Sequence, residues 1–352
     1  MRIGILTFHF AINYGAVVQT WTLSRLLSSL GHDVCIINYI PLIPRYPWWV
    51  SALYHKDIQH FVRTLKFKRF RRRNMIETRR VSTVEEIEDL DLDAVVVGSD
   101  QVWNVDFFKQ PNGMFNQVYF LSGMSSRVRK VAYAASMGGP LPENYPWRGE
   151  LIASLREFDF RSVRERQALE NLLRLGLSAQ CVIDPTFLLP CNAYDELTVK
   201  KDVKRPYLFS YLLTEIERGL SLCRDYLEKK CCSFRLTTIR PVRDKNVCVP
   251  SPDQWLSLIR NAQFVITDSF HGVALSIVFN VPFVALLKST EPGQNARIIE
   301  LLERLSLSDR IASSFSDGIP AFGRAINWCA VNEKVSELKK TGRQFLIDAL
   351  AN

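Results

Sequence analysis

Two segments of this chain stay apolar over successive positions for the length of a strand: Asp93 to Val97, with its core Ala94-Val95-Val96-Val97, and Lys130 to Ala135. A strand with one wet face alternates apolar and polar residues. A strand that does not alternate is buried on both faces, as in the interior of a parallel sheet. Parallel neighbours need long crossover connections, usually helices, so these two runs confine the chain to an α/β architecture.

The remaining pattern agrees. Arg2 to Phe8 reads as a strand, Gly15 to Leu30 as a helix and Val34 to Tyr39 as a second strand, a βαβ opening. Ser162 to Glu165 reads as the start of a helix and Gln167 to Leu175 as a helix stopped by Gly176. A first domain then closes near Asp184-Pro185-Thr186, a turn-forming strand exit. The alternation restarts with strands at Pro206–Leu213, Ser233–Thr238 and Phe264–Thr267 and helices at Ile216–Lys230, Pro252–Asn261 and Ala296–Leu305. With 352 residues, 47% of them hydrophobic, the chain can bury two cores. The expected organisation is an N-terminal Rossmann-like domain over 1–187, a second over 188–330, and a helix in 331–352 that packs back on the first. Ligands of such folds gather outside the carboxyl ends of the strands, here in a central cleft between two domains.

The net charge of +9 is concentrated. Arg63 to Arg80 holds nine Lys or Arg against one acid, Glu77, inside a stretch, 41–81, that reads as an insertion on the first domain. Tyr46-Pro47-Trp48-Trp49 precedes it, and Phe61, Leu65, Phe67 and Phe70 intersperse it. The two readings are a solvated face that steers anions and a peripheral dock, over 46–80, on an anionic membrane. No nucleic-acid motif accompanies the basic run, so no nucleic-acid partner is expected. The eight cysteines show no CxxC or Cys/His ligand spacing, so neither a zinc site nor a disulfide framework is indicated. Ile3 to Phe10 is too short for a secretory signal, and Val273 to Leu287, broken by Asn280 and Pro282, falls short of a bilayer span. The expected location is the cytoplasm, at or near the inner face of the membrane.

Candidate chemistry lies where strands stop. Asn13-Tyr14-Gly15-Ala16 opens the first helix, so its amides either face an anion or are capped by Asn13. Gly98-Ser99-Asp100-Gln101-Val102-Trp103-Asn104 gathers polar side chains behind a buried strand; Trp103 either stacks on a sugar or plugs the core. Arg164 in a first helical turn points to an external anion or to an ion pair with Glu165 or Asp184. Asp268-Ser269-Phe270-His271-Gly272 puts an imidazole, which titrates near neutral pH, at the mouth of a helix.

Taken in order, Leu6-Thr7-Phe8-His9, Asn13-Tyr14-Gly15-Ala16 with Gln19, Val97 to Asn104, Tyr133-Ala134-Ala135-Ser136, Ser162-Val163-Arg164-Glu165, Asp184-Pro185-Thr186 and Thr267 to Gly272 resemble the polysaccharide pyruvyl transferase family, over roughly Arg2 to Arg310 outside the insertion. The resemblance implies two Rossmann-like domains similar to GT-B glycosyltransferases. It also implies transfer of a pyruvyl group from phosphoenolpyruvate, a co-substrate, onto a free or lipid-linked sugar as a ketal in bacterial surface-polysaccharide assembly. No cofactor or metal is expected. By motif, Arg164 is an anion clamp, and His271 contacts the donor or moves protons. Ser269, Phe270 and Gly272 complete the donor side, with Asp100 as acceptor-side base, ahead of Asp268. Asn13 to Ala16, Gly98, Ser99, Gln101, Trp103 and Asn104 line the acceptor side. Many relatives have arginine where this chain has Ser269; Arg297, after Pro292-Gly293-Gln294-Asn295, is the nearest substitute. The alternatives are a nucleotide-sugar glycosyltransferase on the same fold and, more distantly, a non-enzymatic protein that binds anionic surfaces or nucleic acid.

Overall fold

The computed structural model describes residues 1–40, 58–105, 117–198, 206–229, 233–238, 247–289, 295–313 and 320–351. The aromatic run Tyr46 to Trp49, Cys231-Cys232 and Pro292-Gly293-Gln294 lie outside the described residues. The chain divides into two compact units. One comprises Met1–Pro44, Arg72–Leu188 and Glu337–Asn352, the other Arg45–Arg71 and Leu189–Ser336.

In the first unit the described elements run β1 (Arg2–Leu6), α1 (Tyr14–Ser29), β2 (Asp33–Tyr39), α2 (Ile58–Asn74, which begins in the second unit), β3 (Glu77–Val81), α3 (Val84–Glu88), β4 (Ala94–Val97), β5 (Arg129–Ala135), α4 (Arg148–Arg156), β6 (Phe160–Val163), α5 (Arg166–Arg174) and β7 (Gln180–Cys181). The sheet order is β3-β2-β1-β4-β5-β6-β7, and every neighbouring pair is parallel. All four residues of β4 are buried, as its unbroken apolarity requires. Trp21, Leu23 and Leu26 are buried on α1, and Leu151 and Leu155 on α4.

The second unit runs β8 (Tyr207–Leu212), α6 (Ile216–Lys229), β9 (Ser233–Thr238), α7 (Pro252–Arg260), β10 (Phe264–Thr267), α8 (Phe270–Val278), β11 (Phe283–Leu286), α9 (Ala296–Arg304), β12 (Ile311–Ala312) and α10 (Trp328–Ala349), whose last turns belong to the first unit. Its parallel sheet has the order β12-β11-β10-β8-β9. The α7 start is fixed by Pro252 in the first turn and by the Gln254 side chain, which accepts from Ser251 N at 3.0 Å.

Three features differ from the sequence expectation. Ser162-Val163 ends strand β6 instead of opening a helix: both are fully buried between β5 and β7, and α5 starts only at Arg166 with Glu165 as its cap. The end of the 41–81 stretch is part of the sheet, because β3 pairs Arg80 with Asn38 and Val81 with Tyr39 as an edge strand. Residues 58–71 group with the second unit, not the first. The polar residues of β3 had hidden it, since edge strands carry charge that interior strands exclude.

On the first unit α10 buries Phe345, Leu346 and Ala349, with Leu350 buried just past its end, and Arg129 Nη1 donates to Ala349 O at 3.3 Å. Among the described residues no helix is long and apolar enough to cross a membrane.

Candidate active site

Strand order decides where each sheet can hold a ligand. In the first sheet β1 lies between β2 and β4; in the second β10 lies between β8 and β11. The order reverses at β1/β4 and at β8/β10, and connections leaving such a pair in opposite directions open a crevice at its carboxyl end. Three of the predicted motifs fall at these two places: Thr7 to Ala16 follows β1, Gly98 to Asn104 follows β4, and Asp268 to Gly272 follows β10.

At the β1/β4 edge the backbone is tied before any ligand arrives. Thr7 Oγ1 donates to Ser99 O at 2.8 Å and accepts from Gln19 Nε2 at 3.0 Å. The buried His9 brings Nδ1 within 3.2 Å of Thr7 O. Asp100 is a half-buried carboxylate on left-handed backbone, φ 86°, a conformation that costs a non-glycine residue about 1–3 kcal/mol. It is held there by the neighbouring strand end, where Ser136 N donates to Asp100 O at 3.0 Å. Asn104 Nδ2 donates to Gln101 Oε1 at 2.6 Å. Gly138, at φ 73°, lies so near this pair that a Cβ would come within 2.4 Å of Asn104 Nδ2.

Several assignments at this edge change. Asn13 Oδ1 accepts from Gly15 N at 3.0 Å and Ala16 N at 3.3 Å, so these amides are capped from within and do not face an anion. Tyr14, Gly15 and Ala16 are buried. Trp103 is 1% exposed, donates from Nε1 to Tyr119 O at 3.3 Å, and lies against Phe120 and Phe158. It plugs the core and offers no face to a sugar.

Arg164 follows β6, outside any helical turn, with its side chain 3% exposed. Nη1 donates to Asp184 Oδ2 at 2.7 Å and to Ser99 Oγ at 3.2 Å, and Nε lies 3.6 Å from Glu165 Oε2. Burial by itself would lower the guanidinium pKa; Asp184, Glu165 and Asp100 outweigh it and hold the value above the ordinary one. Two carboxylates within 4 Å neutralise Arg164, so its charge is committed inside the fold. Ser99 Oγ also donates to Asp184 Oδ2 at 2.9 Å, and Ser136 Oγ to Glu165 Oε1, which binds the β4, β5 and β6 ends into one buried network.

At the β8/β10 edge Asp268 is the organiser. Oδ1 accepts from Leu213 N at 2.7 Å; Oδ2 accepts from Thr214 N at 2.6 Å, Thr214 Oγ1 at 3.0 Å and Glu215 N at 2.9 Å. Its carboxylate holds the loop after β8. Ser269 caps α8 by accepting from Gly272 N at 3.4 Å. A side chain at Gly272 would put Cβ 2.4 Å from Thr267 Oγ1, so only glycine lets α8 start this close to β10. His271 is the second residue of α8, 6% exposed, with Phe270 edge-on at 5.2 Å between ring centroids. Arg297 is half-buried in the first turn of α9, a helix that packs against α8.

Sequence reasoning assigned no role to His9, Glu215 or Asn295. Glu215 Oε1 accepts from Ser289 N at 2.7 Å, and Asn295 exchanges hydrogen bonds with Lys288 N and O at 2.8 and 2.9 Å, so both fix strand exits. His9 had a visible signal, a histidine just past an apolar strand, as with His271.

The comparisons with known proteins bear on this geometry. A family model described as polysaccharide pyruvyl transferase matches residues 13–287. The chain belongs to this family. The pyruvyl transferase match takes in Asn13, Asp100, Arg164 and His271 and ends before Arg297. Among solved structures the fold is similar to that of the UDP-GlcNAc 2-epimerase from Neisseria meningitidis bound to UDP-GlcNAc, at TM-score 0.52 and 9% identity over 99% of each chain. It is also similar to the UDP-GlcNAc 2-epimerase from Methanocaldococcus jannaschii in complex with UDP-GlcNAc and UDP, at TM-score 0.51 and 14% identity over 97% of this chain and 100% of that one. The spinosyn rhamnosyltransferase SpnG aligns at TM-score 0.51 and 11% identity over 100% of both chains. Such identities establish the fold alone, the GT-B-like arrangement of two Rossmann-like domains. No curated protein matches the chain.

Proposed function

We propose that this pyruvyl transferase family member transfers a pyruvyl group from phosphoenolpyruvate to two hydroxyls of a sugar, forming a ketal during bacterial surface-polysaccharide assembly. The observation that carries the reading is the family match to residues 13–287, which spans strand ends at both places where strand order reverses.

Protonation of the donor's methylene carbon generates an oxocarbenium-like centre at the carbon bearing carboxylate and phosphate. One sugar hydroxyl adds there and loses its proton. The bond to phosphate oxygen then breaks, a second hydroxyl adds with loss of its proton, and hydrogen phosphate leaves. One proton enters the new methyl group and one leaves on phosphate, which balances the two hydroxyl protons. His271 is the proton donor and Asp100, whose carboxylate is not locked as that of Asp268 is, takes a hydroxyl proton. The Arg297 guanidinium is the electrostatic partner for the donor's anionic groups, in place of an arginine at Ser269. Arg164 acts as a positioning residue for the strand ends beside Asp100. These steps use side chains and the co-substrate, with no metal or further cofactor.

Incubation with phosphoenolpyruvate and free or lipid-linked galactosides tests this. A pyruvate-sized mass gain on the sugar, with phosphate release that requires the acceptor, is expected, and His271→Ala should lower turnover by about 10²-fold or more. Full turnover in His271→Ala would remove the histidine from its role. Consumption of a nucleotide sugar with release of nucleotide, and no use of phosphoenolpyruvate, would replace the reading with glycosyl transfer.

A further inference from the structure

Helix α2 sorts its cations by depth. Arg63 is 4% exposed and donates from Nη2 to Thr238 O at 2.6 Å, Lys66 Nζ donates to Val249 O at 2.5 Å, and Phe67 and Phe70 are buried. These residues fasten the helix. Its other side carries Phe61, Leu65, Lys68, Arg69, Arg72 and Arg73, all exposed. Spacings of three and four bring Phe61, Leu65, Lys68, Arg69 and Arg72 onto one face, and Ile76 follows just past the helix end.

Two properties of this face go together. From Phe61 to Ile76 there are seven Lys or Arg and no Asp or Glu. Of the exposed large hydrophobics among the described residues (Phe61, Leu65, Ile76, Leu173 and Ile347) three fall in this one stretch, with Ile76 72% exposed. A solvated helix face explains the charges but not the apolar side chains held in water between them. Nucleic acid would meet the charges, yet Leu65 and Ile76 have no aromatic face on which a base could stack. An anionic bilayer meets both, with hydrocarbon for the apolar groups and phosphate for the cations.

We propose that the outer face of α2 docks the protein on an anionic phospholipid surface. Phe61, Leu65 and Ile76 enter the interface, while Lys68, Arg69, Arg72 and Arg73 pair with lipid phosphates. The inference does not depend on the transfer chemistry, because its test reads binding alone.

The full-length protein is sedimented with vesicles of phosphatidylcholine mixed with phosphatidylglycerol, and with vesicles of phosphatidylcholine alone. Binding to the anionic vesicles is expected to fall with added salt. It should weaken at least about tenfold in the variant combining Lys68→Glu, Arg69→Glu, Arg72→Glu and Arg73→Glu. At unchanged charge, Phe61→Ser with Leu65→Ser and Ile76→Ser should weaken it several-fold. All seven side chains are exposed, and Arg63 and Lys66 stay in place to fasten the helix. Equal binding to the two vesicle types, or a charge-reversed variant that binds as well as the parent, would overturn the proposal. So would a serine variant that loses nothing while the parent holds duplex DNA as tightly as vesicles, since the face would then be a general polyanion surface.

Discussion

Arg164 shows how one side chain, recognised by type, leaves two roles open until its surroundings are seen. An arginine at a strand end reads as an anion clamp, but with Asp184 at 2.7 Å and Glu165 at 3.6 Å the charge is already matched and sealed from water. Removing one member of such a group strands the others. Arg164→Ala is therefore expected to lower unfolding free energy by about 3–5 kcal/mol in urea titration, whatever it does to turnover. Arg164→Met combined with Asp184→Leu should recover much of that loss. The two aspartates form a similar contrast: Asp268 accepts four hydrogen bonds and is structural, whereas Asp100 holds a left-handed backbone at the β1/β4 reversal and keeps its carboxylate half-exposed.

Elements that are buried on both faces were legible, because Ala94 to Val97 in β4 and Val131 to Ala135 in β5 are buried at every position and carry no charged residue. Elements defined by their neighbours were not. β3 carries Glu77, Arg79 and Arg80 and becomes a strand only by pairing with β2, and β6 ends in the Ser162-Val163 pair that local pattern assigns equally well to a helix start. The strand ends bearing Asp100 and His271 could be found from the chain, since polar residues after an apolar run are a local signal. Which pairs of strand ends meet depends on sheet order, a non-local property. The same holds for α10, whose apolar residues could be read but whose partner could not. There Tyr133 lies 6.1 Å from Phe345 between ring centroids, and Leu346 is fully buried. Leu346→Ala should cost about 2–5 kcal/mol by thermal or urea unfolding, comparable to a core deletion and far more than a surface change on a terminal helix.

At the scale of the whole molecule, stability should fail on the alkaline side. Burial raises the Tyr133 phenol well above its ordinary value, with Asp184 adding to the effect, and burial does the same for Tyr119 beside Tyr39 and Asp100. The folded state thus keeps both phenols neutral at a pH where the unfolded chain releases their protons. Their contribution is fully present below about pH 10 and is lost as pH rises from there toward the folded-state value. Urea unfolding followed against pH should show stability falling above about pH 10, with tyrosinate absorbance from these two residues appearing only on unfolding. Tyr133→Phe, which loses the 3.0 Å hydrogen bond to Ile183 O, should start less stable and decline with a slope shallower by about one proton.

The chain passes between the two units four times, after Pro44, inside α2, after Leu188 and inside α10. Neither half is therefore a contiguous stretch of coding sequence. A chimera made by a single splice at residue 188, joining this first half to the second half of a relative, would inherit residues 58–71 from one parent and the surface they pack on, at Thr238 and Val249, from the other. Recombination between members of the family can preserve both units only through exchanges that move 58–71 together with 189–336.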